Sequence, residues 1–318
     1  MRDASAPRLA MVAGEASGDL LASLLLQGLH ARWPGLAAGG IGGPKMQSQG
    51  FDAWWPSHKL SVFGYVDALR HLPELLSIRR ALRQRVLAER PDVFVGVDAP
   101  DFNFALETAL RRQGLKTVHF VCPSIWAWRG DRVHKLAAAA DHVLCLFPFE
   151  PALLAEHGVN ATFVGHPLAD LIPVVPPRAA ARAALGLADE DTVVAVLPGS
   201  RRSEITHIAP AFLQAALRLQ RERPALRFVL PVAPGLRPMV EAALASEAPG
   251  LCIQLLDGRS HEALAACDLT LIASGTATLE AALFKRPMVV AYRLHHFNQD
   301  RKSTRLNSSH VALSRMPS

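Results

Sequence analysis

The sequence predicts an α/β protein made of two Rossmann-like domains that face each other across a cleft. Its 318 residues, half of them hydrophobic and 19% charged, suffice for two well-filled cores. Short apolar, β-branched runs alternate with helical stretches, and this alternation restarts near Val193. Several of these runs end in glycine- and serine-bearing loops, which is typical of α/β domains that bind phosphates.

Composition limits the class of protein further. The formal charge of +6 and the pI near 9.5 indicate an anionic partner, which could be nucleic acid, a phosphate-bearing substrate or an acidic membrane. Four widely spaced cysteines without a CxxC motif predict reduced thiols and no structural zinc. No apolar run reaches the roughly 18 residues needed to span a bilayer, and no signal peptide is evident. We therefore expect a cytoplasmic protein.

Residues 1–170 are assigned to the first domain. Its opening strand, residues 9–13, leads into a glycine- and serine-bearing loop, which is followed by a helix predicted from Leu20. Within that loop we expect Gly14 and Ser17 to contact the substrate.

A second glycine-rich segment, GGIGG at 39–43, is predicted to be a flexible turn. Lys45 stands where a G-x-G-x-x-G motif needs its last glycine, so a nicotinamide dehydrogenase is disfavoured. Residues 60–76 form an amphipathic stretch, and arginines crowd its end and the segment that follows. This pattern fits a surface helix that packs on a core or a face that touches anionic lipid. The arginines are Arg70, Arg79, Arg80, Arg83, Arg85 and Arg90.

The apolar run 91–97 predicts a buried parallel strand that ends at Asp98. Catalytic groups of open α/β sheets lie at such strand ends, which makes Asp98 a candidate general base. Asp101 and Asn103 are expected on the following loop. Asp98 and Asp101 have the spacing DxxD, not the DxD that would suggest a metal-bridged nucleotide sugar. An alternative stays open, in which Asp98 caps a helix whose first residue is Pro100.

The loop after the next predicted strand carries Trp126 and Trp128 beside Arg129, which either stack on a base or sugar or cover a core edge. Residues 173–182, proline-rich and then basic and alanine-rich, are predicted to be a linker. The second domain is assigned to residues 171–299. Its five predicted strands are 193–197, 227–231, 252–255, 269–273 and 288–291.

The first of these strands leads into a candidate phosphate-binding loop. Pro198 breaks the strand, and Gly199, Ser200 and Arg201 follow immediately before a predicted helix. Arginine adds a cationic donor where an anion would bind. The alternative is an ordinary surface loop with solvated arginines.

A second candidate loop follows the strand at 269–273. Ser274, Gly275 and Thr276 would place hydroxyl and amide donors at a helix start, where they could hold a diphosphate. Glu280, one turn into the helix, could accept hydrogen bonds from two ribose hydroxyls. Alternatively, Glu280 is the acid of a capping box at the third helical position.

The segment 300–318 differs from the rest of the chain. Its four Lys/Arg and one Asp contribute +3, half of the total charge, and it has no strand or helix periodicity. It closely resembles a translated sequencing adapter. We expect the natural sequence to stop near Gln299 and the second domain to be incomplete here.

Eight ordered motifs together resemble the lipid-A-disaccharide synthase family of GT-B glycosyltransferases. They are AGEASGD (13–19), GIGGPKM (40–46), LSVFGYVDALRHLP (60–73), VDAPDFN (97–103), PSIWAWR (123–129), VGHPLAD (164–170), LPGSRRSEI (197–205) and SGTATLEAAL (274–283).

The resemblance implies an inverting transfer of diacylglucosamine from UDP to the 6-hydroxyl of 2,3-diacylglucosamine 1-phosphate (lipid X). It implies Asp98 as the base and no metal or cofactor, with Arg201, the Ser200 neighbourhood and the helix start at 274–276 stabilising the leaving UDP. It further implies a peripheral location on the cytoplasmic face of the inner membrane, no nucleic acid partner, and a possible homodimer at full length. The alternatives are another UDP-sugar enzyme of the GT-B fold, such as an epimerase, or an inactive fragment that only binds.

Overall fold

The computed structural model describes residues 6–57, 60, 65–125 and 132–292. The chain divides into two compact units, Met1–Pro167 (unit 1) and Leu168–Ser318 (unit 2). The predicted foreign tail, the loop tryptophans and the first part of the amphipathic stretch, residues 61–64, lie outside the described residues.

Unit 1 is built on a parallel sheet of seven strands. The strands are β1 (Arg8–Ala13), β2 (Ala37–Gly42), β3 (Asp52–Pro56), β4 (Val93–Val97), β5 (Lys116–Phe120), β6 (His142–Cys145) and β7 (Ala161–Phe163). Their spatial order is β3-β2-β1-β4-β5-β6-β7. The direction of winding reverses between β1 and β4, which is the switch point where doubly wound sheets bind ligands.

Helices cover both faces of this sheet. They are α1 (Ala16–Arg32), α2 (Pro44–Gln47), α3 (Tyr65–Glu89), α4 (Pro100–Arg111), α5 (Arg132–Ala139) and α6 (Glu150–Ala155). Alternate residues of β1 point to opposite faces, as the pleat requires. Met11 packs with Leu26 of α1, whereas Val12 packs with Leu82 of α3.

Unit 2 repeats the same winding on five parallel strands. The strands are β8 (Val193–Leu197), β9 (Arg227–Val232), β10 (Ile253–Asp257), β11 (Leu269–Ala273) and β12 (Met288–Ala291), in the order β10-β9-β8-β11-β12. Its helices are α7 (Leu168–Leu171), α8 (Arg178–Leu185), α9 (Arg202–His207), α10 (Ala209–Glu222), α11 (Arg237–Glu247), α12 (Ser260–Ala266) and α13 (Thr276–Leu283). The switch point of unit 2 lies between β8 and β11. All five predicted strands of this domain are confirmed, with shifts of one or two residues at some ends.

The glycine-rich segment 39–43 is not a turn, and that prediction is wrong. Most of it forms the second half of β2, where absent side chains allow close packing. A Cβ on Gly39 would lie 2.8 Å from the Trp54 ring, and one on Gly40 would lie 2.1 Å from the carbonyl oxygen of Met11.

The linker prediction for residues 173–182 is wrong over its second half, which begins helix α8. Ala181 and Leu185, four residues apart, are buried. Arg182 is fully buried as well, because its guanidinium replaces lost water with protein acceptors. Those acceptors are the carbonyl oxygens of Ala188, Asp189 and Ala266 and the carboxylate of Asp268.

The amphipathic stretch continues further than predicted, since α3 runs on to Glu89. Ile78, Leu82 and Val86 line its buried face. Among the described helices, this one included, none combines the length and apolar character needed to cross a bilayer.

Candidate active site

Asp98 lies at the switch point of unit 1, directly after β4. Its backbone N–H donates to the carbonyl oxygen of Phe120 on the neighbouring strand at 2.9 Å. The next residue, Ala99, is the N-cap of α4. Asp98 is therefore not the N-cap residue as the alternative required, whereas its role as a base stays a prediction.

Asp101 and Asn103 lie on α4 and not on a loop, because the helix begins already at Pro100. Their environments differ. Asp101 is exposed and pairs with Arg132 at 2.9 Å, whereas Asn103 is fully buried. The Asn103 side-chain amide donates to the carbonyl oxygen of Asp98 at 2.8 Å, so it contacts the turn that carries the candidate base.

One turn further along α4, a buried acid meets a buried imidazole. Glu107 Oε1 lies 2.8 Å from His119 Nδ1, and neither side chain is exposed. Sequence reasoning missed this pair, although one signal was present. An isolated glycine within a strand indicates close approach by another group, and a Cβ on Gly96 of β4 would lie 2.0 Å from Glu107 Oε1.

A groove of about 310 Å³ adjoins Asp98. Among the described residues that line it, Asp98 is the acidic one and Arg132 the basic one, and a substrate there would meet both. The lining residues are Asp98, Pro100, Val121, Cys122, Pro123, Ser124 and Arg132.

The structure brings Gly14 beside the Asp98 turn. Gly14 is buried, and a Cβ added to it would lie 3.7 Å from the Cβ of Ala99. Ser17 lies in the first turn of α1, because this helix begins at Ala16 and not at Leu20 as predicted. Substrate contact by these two residues remains a prediction.

Asp19 stabilises the start of α2, a role that its position in the sequence did not indicate. Its carboxylate is buried and accepts from the backbone N–H groups of Gly43, Lys45 and Met46 at 2.9–3.0 Å. These donors belong to the start of α2 and would otherwise lack partners. Asp19 thus joins two of the glycine-bearing motifs.

Two thiols and a carboxylate meet at the carboxyl ends of β5 and β6. Candidate ligand atoms of Cys122, Cys145 and Glu150 all lie within 4.8 Å of one another, and the three residues are buried. A hydrogen bond with Cys145 and then burial raise the pKa of the Cys122 thiol, and burial raises that of Glu150. Burial likewise raises the pKa of the Cys267 thiol, which is not part of this cluster, to about 12. Metal ligands bind as thiolate and carboxylate, so the cluster has ligand types suited to zinc but favours protonated groups.

In unit 2, the loop after β8 is stabilised by hydrogen bonds to a nearby carboxylate of its own segment. Gly199 has a φ of 130°, and the backbone N–H groups of Ser200 and Arg201 both donate to Glu204 Oε2, at 2.8 and 3.1 Å. Two amides that were expected to face a phosphate are thus occupied by a carboxylate. The Arg201 guanidinium, 40% exposed, lies 3.4 Å from the other oxygen of Glu204.

The second loop of unit 2 follows β11. Ser274, Gly275 and Thr276 are exposed there, and α13 begins at Thr276 with Gly275 as N-cap. Glu280 is therefore the fifth helical residue, so the capping-box alternative is wrong. Its carboxylate Oε2 lies 3.4 Å from Nε2 of His261, a neighbour that the sequence did not indicate.

Both candidate loops of unit 2 thus lie at its switch point, as the Gly14 and Asp98 turns lie at that of unit 1. Two doubly wound parallel units with polar loops at their switch points define the chain as a two-domain protein of the GT-B fold class. The family model described as Lipid-A-disaccharide synthetase matches residues 9–299. The chain belongs to the lipid-A-disaccharide synthetase family.

Curated relatives are similar over most of the chain. A lipid-A-disaccharide synthase of Verminephrobacter eiseniae is 61% identical over 292 residues, which cover 92% of this chain and 75% of the relative. Another, of Albidiferax ferrireducens, is 60% identical over 288 residues, covering 90% and 74%.

Solved structures at much lower identity share the fold. A UDP-GlcNAc 2-epimerase from Neisseria meningitidis bound to UDP-GlcNAc has a TM-score of 0.64 at 13% identity, covering 96% of this chain and 88% of that one. A glycotransferase of kitacinnamycin has a TM-score of 0.59 at 15% identity, covering 91% and 81%.

Proposed function

We propose that the chain is an inverting glycosyltransferase of lipid A biosynthesis, which condenses UDP-2,3-diacylglucosamine with lipid X. The products are the β-1,6-linked disaccharide 1-phosphate and UDP. The observation that carries this proposal is the match to the lipid-A-disaccharide synthetase family over residues 9–299. The position of Asp98 at the switch point of unit 1 supports it.

The chemistry is a single in-line displacement. The 6-hydroxyl oxygen of lipid X attacks C1 of the donor sugar, the bond from C1 to the UDP oxygen breaks, and the α-linkage becomes β. Asp98 accepts the hydroxyl proton as the new bond forms, which requires an ionised carboxylate within hydrogen-bond reach of that oxygen. Turnover at the wild-type rate in Asp98→Ala would remove this assignment.

Unit 2 supplies the groups for the UDP donor. The departing diphosphate gains negative charge, and fixed cationic and N–H donors stabilise that charge in the transition state. The Arg201 side chain, the Ser200 hydroxyl and the exposed start of α13 at Ser274–Thr276 are suited to this task. Glu280 would bind the ribose hydroxyls through the carboxylate oxygen that does not face His261.

Glu204 limits what the loop after β8 can offer. Because its carboxylate already accepts from the amides of Ser200 and Arg201, a phosphate at those amides would have to displace it. We therefore assign diphosphate contact in this loop to side chains and treat Glu204 as the group that keeps the loop open. The α13 start then provides the backbone donors.

We further propose that unit 1 binds the cytoplasmic face of the inner membrane. Leu76, Arg80 and Arg83 recur at helical spacing on α3, and all three are exposed. An exposed leucine beside two cations suits an anionic lipid surface. Arg85 does not join them, since it stacks 4.1 Å over the Trp54 ring.

A homodimer at full length is part of the same proposal and rests on the family resemblance. Sedimentation equilibrium of the enzyme translated from its complete reading frame tests it directly. A mass of one chain across the accessible concentrations would contradict it.

One assay separates the proposed reaction from its alternatives. The full-length enzyme is incubated with UDP-diacylglucosamine and lipid X, and UDP, disaccharide and donor stereochemistry are followed together. Equal amounts of UDP and β-linked disaccharide are expected. An epimerised UDP-sugar without disaccharide would favour an epimerase, and saturable donor binding without either product would indicate a binding protein.

A further inference from the structure

The turn that carries Asp98 has an unusual backbone. Asp98 and Ala99 have φ values of 51° and 45°, in the left-handed region that residues other than glycine seldom occupy. Two such residues in succession persist only where the surrounding structure holds them. The contacts that hold this turn therefore decide where the Asp98 side chain points.

Those contacts fix the peptide groups on both sides of Asp98. Its N–H donates to the carbonyl oxygen of Phe120 at 2.9 Å. Its carbonyl oxygen accepts from the Asn103 side-chain amide at 2.8 Å, and the same amide lies 3.4 Å from the carbonyl oxygen of Val97. Asn103 is fully buried, so water does not compete for this donor.

Asn103 is itself held in place by the strands on which its helix packs. A Cβ on Gly96 would lie 3.1 Å from the Asn103 Cβ, so helix α4 lies directly on β4 at this point. The buried contact between Glu107 and His119 joins the same helix to β5. The amide therefore has little freedom to move away from the Asp98 carbonyl.

We propose that Asn103 is a positioning residue for the reaction, acting through the backbone of Asp98. This inference rests on the proposed function, in which Asp98 is the general base. Asn103 does not touch the reacting atoms; its amide fixes the strained turn and thereby the direction in which the Asp98 carboxylate leaves it. When a general base is displaced by a fraction of a hydrogen-bond length, the rate of the reaction falls steeply.

The test compares Asn103→Leu and Asn103→Ala in the full-length enzyme. Both variants lack the donor, but only leucine retains the side-chain volume. Leu110→Ala on the same helix is the matched control, because it removes buried packing without touching the Asp98 turn. Each variant is assayed at a temperature at which circular dichroism shows it to be folded.

We expect both Asn103 variants to lower kcat by about 10- to 100-fold, with KM little changed, and Leu110→Ala to retain kcat. In an Asp98→Asn background the same Asn103 substitutions should have almost no further effect, because they act through a base that is already absent.

Three results would overturn the inference while leaving the base assignment intact. The first is a wild-type kcat in the Asn103 variants. The second is a loss of kcat in Asn103→Ala but not in Asn103→Leu, which would follow side-chain volume. The third is a loss of kcat from the Asn103 substitutions that is just as large in the Asp98→Asn background. Failure of both variants to fold at any temperature would also count against it, since Asn103 would then be essential for folding. A wild-type kcat in Asp98→Asn alone would instead refute the assignment of Asp98 as the base, and the assay of UDP and disaccharide tests the proposed reaction separately.

Discussion

Replacing Arg182 by alanine should destabilise unit 2 strongly, and the structure sets the size of the effect. The fully buried guanidinium makes four hydrogen bonds, to three carbonyl oxygens and to Asp268. Their loss leaves the buried carbonyl oxygen of Ala266 without this donor and removes one of the two arginines that pair with the partly exposed Asp268. Removing one member of a buried ion pair typically costs about 3–5 kcal/mol. For a unit of this size we expect the Tm to fall by roughly 6–20 °C.

Arg178 provides the control, because it pairs with the other oxygen of the same carboxylate while its side chain is 44% exposed. A surface ion pair contributes about 0–1 kcal/mol, so Arg178→Ala should lower the Tm by less than about 4 °C. Differential scanning calorimetry measures the two shifts. Equal shifts for the two variants would refute the reasoning.

The pH dependence gives a second readout of the same cluster. Partial burial raises the pKa of Asp268, but the Val193 N–H and the two arginines outweigh it, so the net shift is downward. A carboxylate with a lowered pKa contributes stability above its unfolded pKa of about 3.9, and this stability is lost as the pH falls through the folded value. The Tm difference between wild type and Arg182→Ala should therefore shrink at acid pH. A constant difference down to pH 2 would contradict the pairing.

Two further outcomes follow from exposed groups. The double variant Arg80→Glu/Arg83→Glu should weaken sedimentation with phosphatidylglycerol vesicles by at least about tenfold, whereas the same charge reversal at Arg218 and Arg221 on α10 should matter far less; equal losses would contradict a lipid-facing α3. In native protein, a disulfide reagent should label Cys252 alone quickly, because the other three thiols are buried, and rapid labelling of a second thiol would show that the core thiols are accessible.

The strands could be predicted from sequence because burial on both faces makes them continuous apolar runs. β8, β11 and β12 have the predicted bounds. The wrong predictions share one cause, which is that residue type was judged without its spatial neighbours. Glycines at 39 and 40 indicate flexibility in general, but here they leave room for Trp54 and for the carbonyl of Met11.

The same limit applies to the candidate site. Spacing could place Asp98 at a strand end, but the amide of Asn103 reaches its carbonyl only because the helix begins at Pro100. Arg182 looked like part of a basic linker, since its acceptors lie up to 86 positions away in the sequence. Contacts between distant segments leave no periodic signal.

The catalytic assignment is tested most directly by the kcat of Asp98→Asn in the full-length enzyme, measured beside Asp101→Asn. The two positions are three residues apart, and each change replaces a carboxylate by an amide of the same shape. Loss of the base should lower kcat by about 10²–10⁴-fold. Loss of the exposed Asp101 pair with Arg132 should change it by less than about fivefold. A wild-type kcat in Asp98→Asn would contradict the account.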